Sequence, residues 1–196
     1  ASFPTLRDNN DYTAIVNDRQ HIRLSGVLKD AEEKGAKVTA LNHANEDFSG
    51  TRKIPLTLVE NGTEDMTIMQ DEIFGPLMPI VTYDGINNAI EYINKGPRPL
   101  ALYLFSHDGS VQDNVLKNTH AGGVTINDCL THIAQDDMPF GGVGDSGIGA
   151  YHGKEGFISL SHAKSVHKKG RINMGHLIHA PHDRFMHKLI YKFIIR

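Results

Sequence analysis

Four short apolar runs of strand length, separated by turn signals or helical patterns, set the strongest limit on what this 196-residue chain can fold into. Residues 54–60 (IPLTLVE) end at the turn dipeptide Asn61-Gly62. Residues 77–83 (LMPIVTY) lead into a helical pattern over 86–94, with Ala89, Ile90 and Ile93 on one side and Gly96-Pro97 as its stop. Residues 100–105 (LALYLF) precede a second helical pattern over 110–117, whose apolar side is Val111, Val115 and Leu116. Residues 123–126 (GVTI) complete the series. Near-continuous apolar runs suit strands covered on both faces, as in a parallel sheet. Their alternation with helices predicts an α/β fold with a mostly parallel sheet built by crossovers and flanked by helices.

The stretch before these runs reads the same way. Asn17 and Asp18 offer N-cap chemistry to a helix whose face is Ile22, Val27, Leu28 and Ala31, and Gly35 stands at its C′ stop. Residues 37–41 (KVTAL) are a short strand. Residues 1–11 read as an extended lead-in and 42–52 as a polar loop. An apolar share of 39% and a charged share of 22% fit a folded domain, and a net charge of −3 gives no basic bias toward nucleic acid. The one cysteine, Cys129, excludes an internal disulfide and favours a reducing, cytoplasmic setting, so the Asn61-Gly62-Thr63 sequon is set aside. No signal peptide and no run long enough to span a membrane is visible.

Several motifs carry less than they suggest. Gly142-Val143-Gly144-Asp145-Ser146-Gly147 fits GxGxxG, but no strand precedes it. With six glycines in residues 128–153, the segment reads as a turn-rich loop. Cys129 has His132 near it in sequence, yet a cysteine after a strand is more often a small buried apolar group than a nucleophile. His176, His179, His182 and His187 show no metal-ligand spacing and read as a solvated tail. In residues 182–196, Phe185, Leu189, Lys192 and Phe193 recur at near-helical spacing among basic residues. Such a helix could lie on a membrane surface or dock on a partner subunit, and the second is the favoured expectation.

The most informative stretch is Asp71-Glu72-Ile73-Phe74-Gly75-Pro76. An acid pair precedes an aromatic, and Gly-Pro breaks the chain just before a strand. This can fix a carboxylate, which accepts hydrogen bonds from a ribose diol, beside an aromatic face that lies against a flat heterocycle. It is equally the pattern of an ordinary capped turn, and these residues alone leave both readings open.

Here the chain resembles the aldehyde dehydrogenase superfamily. Asp71–Pro76 resembles its cofactor motif, Pro99-Leu100-Ala101-Leu102-Tyr103 its strand after a helix, and Gly122-Gly123-Val124-Thr125-Ile126-Asn127-Asp128 its Gly-Gly-Val…Asn segment. Pro139-Phe140-Gly141-Gly142-Val143-Gly144 through Lys154, and Tyr12 through His21, are similar to its class 3 branch. The resemblance covers about residues 4–170 and implies an NAD(P)-dependent oxidation of an aldehyde to the acid, with coniferyl aldehyde favoured by branch. In the family a cysteine thiolate attacks the carbonyl to give a thiohemiacetal, Asn and backbone donors hold the oxyanion, hydride leaves to nicotinamide, and a Glu-activated water hydrolyses the thioester.

Carried over by motif, Glu72 would hold the nicotinamide ribose hydroxyls and Phe74 would flank that ribose. Asn127 would support the nucleophile's loop. Phe140 would line the aldehyde pocket, with Ile133 and Ala134 as further candidates. The family's Gly-Gln-x-Cys nucleophile motif is missing here, so the nucleophile and the general-base Glu are expected upstream, and Cys129 is not promoted. The resemblance therefore implies the C-terminal part of the catalytic domain over residues 1–160, an oligomerisation arm strand over 161–170, and a tail with an amphipathic helix over 171–196. A homodimer or higher homo-oligomer is the expected partner state. A non-catalytic assembly module working by sheet augmentation is the alternative, and a free-standing nucleotide-binding domain a weaker one.

Overall fold

The computed structural model describes residues 3–172, 175 and 179–194. His176 of the histidine cluster lies outside them. The chain divides into two units, Ala1–Ala89 and Ile90–Arg196.

The first unit is built on helix α1 (Asp18–Glu33). Asn17 caps it, its side-chain oxygen accepting from the Gln20 N–H at 2.9 Å, and Gly35 follows its end at φ +92. The expected face needs one correction. Ile22 is 70% exposed, and the inward row is Leu24, Val27 and Ala31. Residues 22 and 24 lie about 200° apart around a helix, so both cannot face one core. Against α1 lies a three-stranded sheet of β1 (Lys37–Ala40), β2 (Thr57–Glu60) and β3 (Leu77–Ile80), in the order β1-β2-β3. β1 runs antiparallel to β2, with Lys37 opposite Glu60 and their charges 2.6 Å apart. β2 runs parallel to β3, and its crossover carries the single-turn helix α2 (Thr67–Gln70). Leu24, Val59 and Met66 are fully buried between these elements.

The lead-in and the 42–52 loop hold each other. The Glu46 carboxylate accepts from the N–H groups of Leu6 and Arg7 at 2.7 and 3.0 Å. Lys53 Nζ donates to the carbonyls of Leu6 and Asn9. Tyr12 donates its hydroxyl to the Ile54 carbonyl at 2.7 Å.

α3 (Ile86–Lys95) carries the chain into the second unit. There β4 (Ala101–Leu104) pairs parallel with β5 (Gly123–Ile126) through the crossover helix α4 (Gly109–Asn118), as the alternation predicts. Asp108 caps α4, its Oδ1 accepting from the N–H of Ser110 at 2.8 Å and of Val111 at 3.4 Å. Two of the three strand pairings are parallel, but the strands form two sheets rather than one. Nor is β4 covered on both faces: Leu102 and Leu104 are buried while Tyr103 is 36% exposed. A short 3-10 turn (Thr131–Ala134) and helices α5 (Gly153–Ser159) and α6 (Phe185–Ile194) complete the unit. Residues 161–170, expected as an arm strand, are exposed and join no ladder among the described residues.

Candidate functional site

In the Asp71–Pro76 loop, Ile73 points to the core and its neighbours point away. Ile73 packs against the buried cluster around Leu24, and Glu72 and Phe74 on either side of it are exposed. Phe74 has φ +48 and its ring is 76% exposed, so ring burial does not hold this backbone in place. Two consecutive residues of α1 do. The Arg23 guanidinium donates to the carbonyls of Glu72 (3.3 Å) and Ile73, while its Nε is fixed by Gln20 Oε1 at 2.7 Å. Leu24 lies under Gly75 so closely that a Cβ there would stand 2.5 Å from Leu24 Cδ1. Beyond the loop, the Pro76 carbonyl accepts from Thr57 N at 2.9 Å and sets the register of β3.

The result is a hollow of about 340 Å³ lined by Val16, Asn17, Gln20, Arg23, Glu72 and Phe74. Phe74 also borders a larger hollow of about 450 Å³ formed with Tyr12–Val16, Gly75 and Pro76. Burial pushes the Tyr12 phenol up from its ordinary value, partly offset by the Leu56 backbone. A carboxylate, two amides and a guanidinium beside an aromatic face suit a sugar diol joined to a flat ring. The Glu72 carboxylate and the Phe74 ring are the groups that the ribose–nicotinamide end of a dinucleotide would need, while Asn17, Gln20 and Arg23 are engaged with one another and with the loop backbone. Gln20 and Arg23 escaped the sequence reading, and Asn17 was read only as the cap of α1. The signal was spacing: Gln20 and Arg23, three residues apart, share a face of the first turns of α1 directly after the Asn17 cap.

The remaining candidates lie in the second unit. Asn127, at φ +59 just after β5, brackets Ser106, just beyond the end of the neighbouring strand β4. Its Oδ1 accepts from Ser106 N at 2.8 Å and its Nδ2 donates to Ser106 O at 3.0 Å. Phe140 forms a two-residue antiparallel bridge with Tyr151, with N–H···O distances of 2.8 and 2.9 Å. Its ring rests against Tyr151 (5.5 Å) and His132 (5.7 Å). Ile133 and Ala134 are exposed on the 3-10 turn that delivers His132. His132, which the sequence marked only as a neighbour of Cys129, packs against Tyr103 and Phe140 instead. It is 7% exposed, Nδ1 is 2.8 Å from Thr125 Oγ1, and its ring occupies the space a side chain at Gly123 would need.

Cys129 is exposed, not buried as expected, because it stands on the turn after β5 with its N–H bonded to Asp128. The glycine loop has no helix at its GxGxxG. Instead Gly122, Gly141 and Gly142 lie backbone to backbone, with positions for a Cβ within 2.2 Å of the carbonyl oxygens of Gly141, Gly149 and Ser146 respectively. Among the described residues no group of three metal-ligating side chains occurs, and no helix is long and apolar enough to cross a membrane.

Residues 3–166 match the aldehyde dehydrogenase family. A probable coniferyl aldehyde dehydrogenase of Pseudomonas aeruginosa is 50% identical over 99% of this chain and 40% of its own length. The substrate-bound structure of AldH from Staphylococcus aureus superposes with a TM-score of 0.76 at 41% identity, covering 93% of this chain and 38% of that one. The indole-3-acetaldehyde dehydrogenase AldA of P. syringae, in complex with NAD+, superposes with a TM-score of 0.66 at 25% identity, covering 78% and 30%. The chain thus spans about 40% of the length of the curated relative, and over nearly its whole extent it belongs to the aldehyde dehydrogenase family.

Proposed function

We propose that this chain works as the C-terminal portion of an NAD(P)-dependent aldehyde dehydrogenase that oxidises an aromatic aldehyde, such as coniferyl aldehyde, to the carboxylic acid. The observation that carries this reading is the Glu72–Phe74 loop, held on α1 by Arg23 and Leu24 with its carboxylate and ring at one hollow. When bound, NAD(P)+ supplies the acceptor for the substrate's hydride. Glu72 accepts hydrogen bonds from the two nicotinamide ribose hydroxyls, and Phe74 flanks that ribose. Asn127 steadies the loop near the nucleophile, and Phe140 with Ile133 and Ala134 forms part of the aldehyde pocket wall. The nucleophilic cysteine and the general-base glutamate come from the rest of the polypeptide. Residues 161–170 serve as the arm that joins subunits into a dimer or larger assembly. A single free cysteine supports a cytoplasmic setting.

The test joins this chain to the preceding part of the Pseudomonas aeruginosa relative and follows NAD(P)H formation with coniferyl aldehyde. The joined polypeptide is expected to turn over, and the 196-residue chain alone is expected not to. Turnover by the chain alone that disappears with Cys129→Ala would overturn the reading. So would a folded joined polypeptide that binds neither NAD+ nor NADP+.

A further inference from the structure

The chain between β5 and Phe140 has one buried side chain, His132, and every other residue from 127 to 139 is exposed. Most backbone bonds in this stretch are local. Thr131 N–H donates to Cys129 O at 2.8 Å, Ile133 N–H to Leu130 O at 3.0 Å and Met138 N–H to Gln135 O at 3.1 Å. Its ends are tied elsewhere, by Asn127 to Ser106 and by the Asp136 carbonyl, which accepts from Gly153 N–H at 2.9 Å. Between those ties only His132 enters the interior. Leu130 stands two residues before it at φ +64, and its own side chain is 62% exposed, so burial at Leu130 does not hold this left-handed backbone.

We propose that His132 is a positioning residue for the aldehyde pocket. Through Phe140, and through its chain neighbours Ile133 and Ala134, it sets how closely the pocket wall fits an aromatic substrate. The proposal rests on the reading of those three residues as that wall. Strands β4 and β5 and the Phe140–Tyr151 bridge meet on the one imidazole. Its ring is T-shaped to Tyr103 at 6.0 Å and tilted against Phe140 at 5.7 Å, and its Cδ2 lies 2.8 Å from where a Cβ at Gly123 would stand. The two nitrogens are used unequally. Nδ1 is 2.8 Å from Thr125 Oγ1, whereas Nε2 is buried with no hydrogen-bond partner among the described residues. An unpaired buried nitrogen lowers stability. The rest of the polypeptide cannot reach Nε2 while the loop keeps its shape. A phenyl ring would fill the same space without that loss, so what the imidazole adds is the bond at Nδ1. That bond fixes the rotation of the ring, and with it the face on which Phe140 rests.

The test uses the joined polypeptide and compares KM for coniferyl aldehyde, for propanal (too small to need the whole wall) and for NAD(P)+. His132→Phe is expected to raise the coniferyl aldehyde KM about fivefold, the effect of losing one hydrogen bond. The other two KM values and the melting temperature should not suffer. Thr125→Val removes the same bond from the other side and should act alike, while Thr125→Ser keeps the hydroxyl and should restore the parent value. The double variant should be no worse than the larger single one, because both changes delete one interaction. Should His132→Phe fail to fold, the Thr125→Val and Thr125→Ser pair decides. A parent-like coniferyl aldehyde KM in either His132→Phe or Thr125→Val would overturn the proposal, and so would an equal rise for all three compounds. Phe140→Ala separates the proposal from the reading beneath it. An unchanged coniferyl aldehyde KM there removes the wall assignment and the proposal together, whereas a raised one beside a parent-like His132→Phe removes the proposal alone.

Discussion

At Phe74 the backbone occupies the left-handed region, which costs a non-glycine residue about 1–2 kcal/mol. The ring is too exposed to repay this by burial, so the conformation depends on what holds the neighbouring peptides. Arg23 holds two of their carbonyls and Leu24 supports the third peptide through Gly75. In the joined polypeptide, Arg23→Met should raise the KM for NAD(P)+ about tenfold, consistent with loss of charge-assisted bonds, and Arg23→Lys should restore part of it. An unchanged KM would show that the loop stands without the guanidinium. Leu24→Ala removes a fully buried side chain and should cost about 3 kcal/mol in denaturant unfolding of the 196-residue chain. Gly141→Ala would drive a Cβ into the Gly149 carbonyl, and a melting temperature equal to the parent's would contradict the backbone-on-backbone loop. Of these residues, Glu72 and Phe74 were legible in the sequence because their motif is contiguous. Arg23 was not, because its partners lie 49 and 50 positions away.

Among the elements, α1, α3 and α4 were legible from apolar period and cap chemistry, and β4 and β5 from their apolar runs. Single-turn α2 was not, since four residues show no period. What places α2 is a side chain from another element. Asp30 of α1 accepts from the Thr67 N–H at 2.8 Å and pairs with Lys34 at 2.8 Å. The Lys34 ammonium, followed by the Thr67 N–H, holds the Asp30 carboxyl below its ordinary value. A group depressed in this way stabilises the fold above its unfolded value near pH 4, and that contribution fades as the pH falls through the lower folded value. Asp30→Asn should therefore lower the denaturation midpoint at pH 7, and the gap to the parent should close as the pH approaches 3. A gap that stays constant over that range would contradict the assignment. The lead-in and the 42–52 loop were correctly expected to lack regular structure. Their mutual bonds were invisible, because Glu46 and Lys53 meet backbone groups about 40 residues away rather than near neighbours.

At the scale of the molecule, the carboxylate–aromatic loop belongs to the first unit, and Asn127 and Phe140 belong to the second. The family was legible from short contiguous motifs, some of whose glycines stand where neighbouring backbone leaves no room for a Cβ. The two separate sheets were not legible, since apolar runs specify strands but not which strands share hydrogen bonds. The central proposal is that Glu72 holds the cofactor's ribose. The most direct measurement is single-turnover NAD(P)H formation by the joined polypeptide carrying Glu72→Gln, across a range of NAD(P)+ concentrations. A neutral amide accepts less strongly than a carboxylate, so hydride transfer should slow by about tenfold or more and the apparent cofactor affinity should fall. A variant that matches its parent in both rate and affinity would contradict the account.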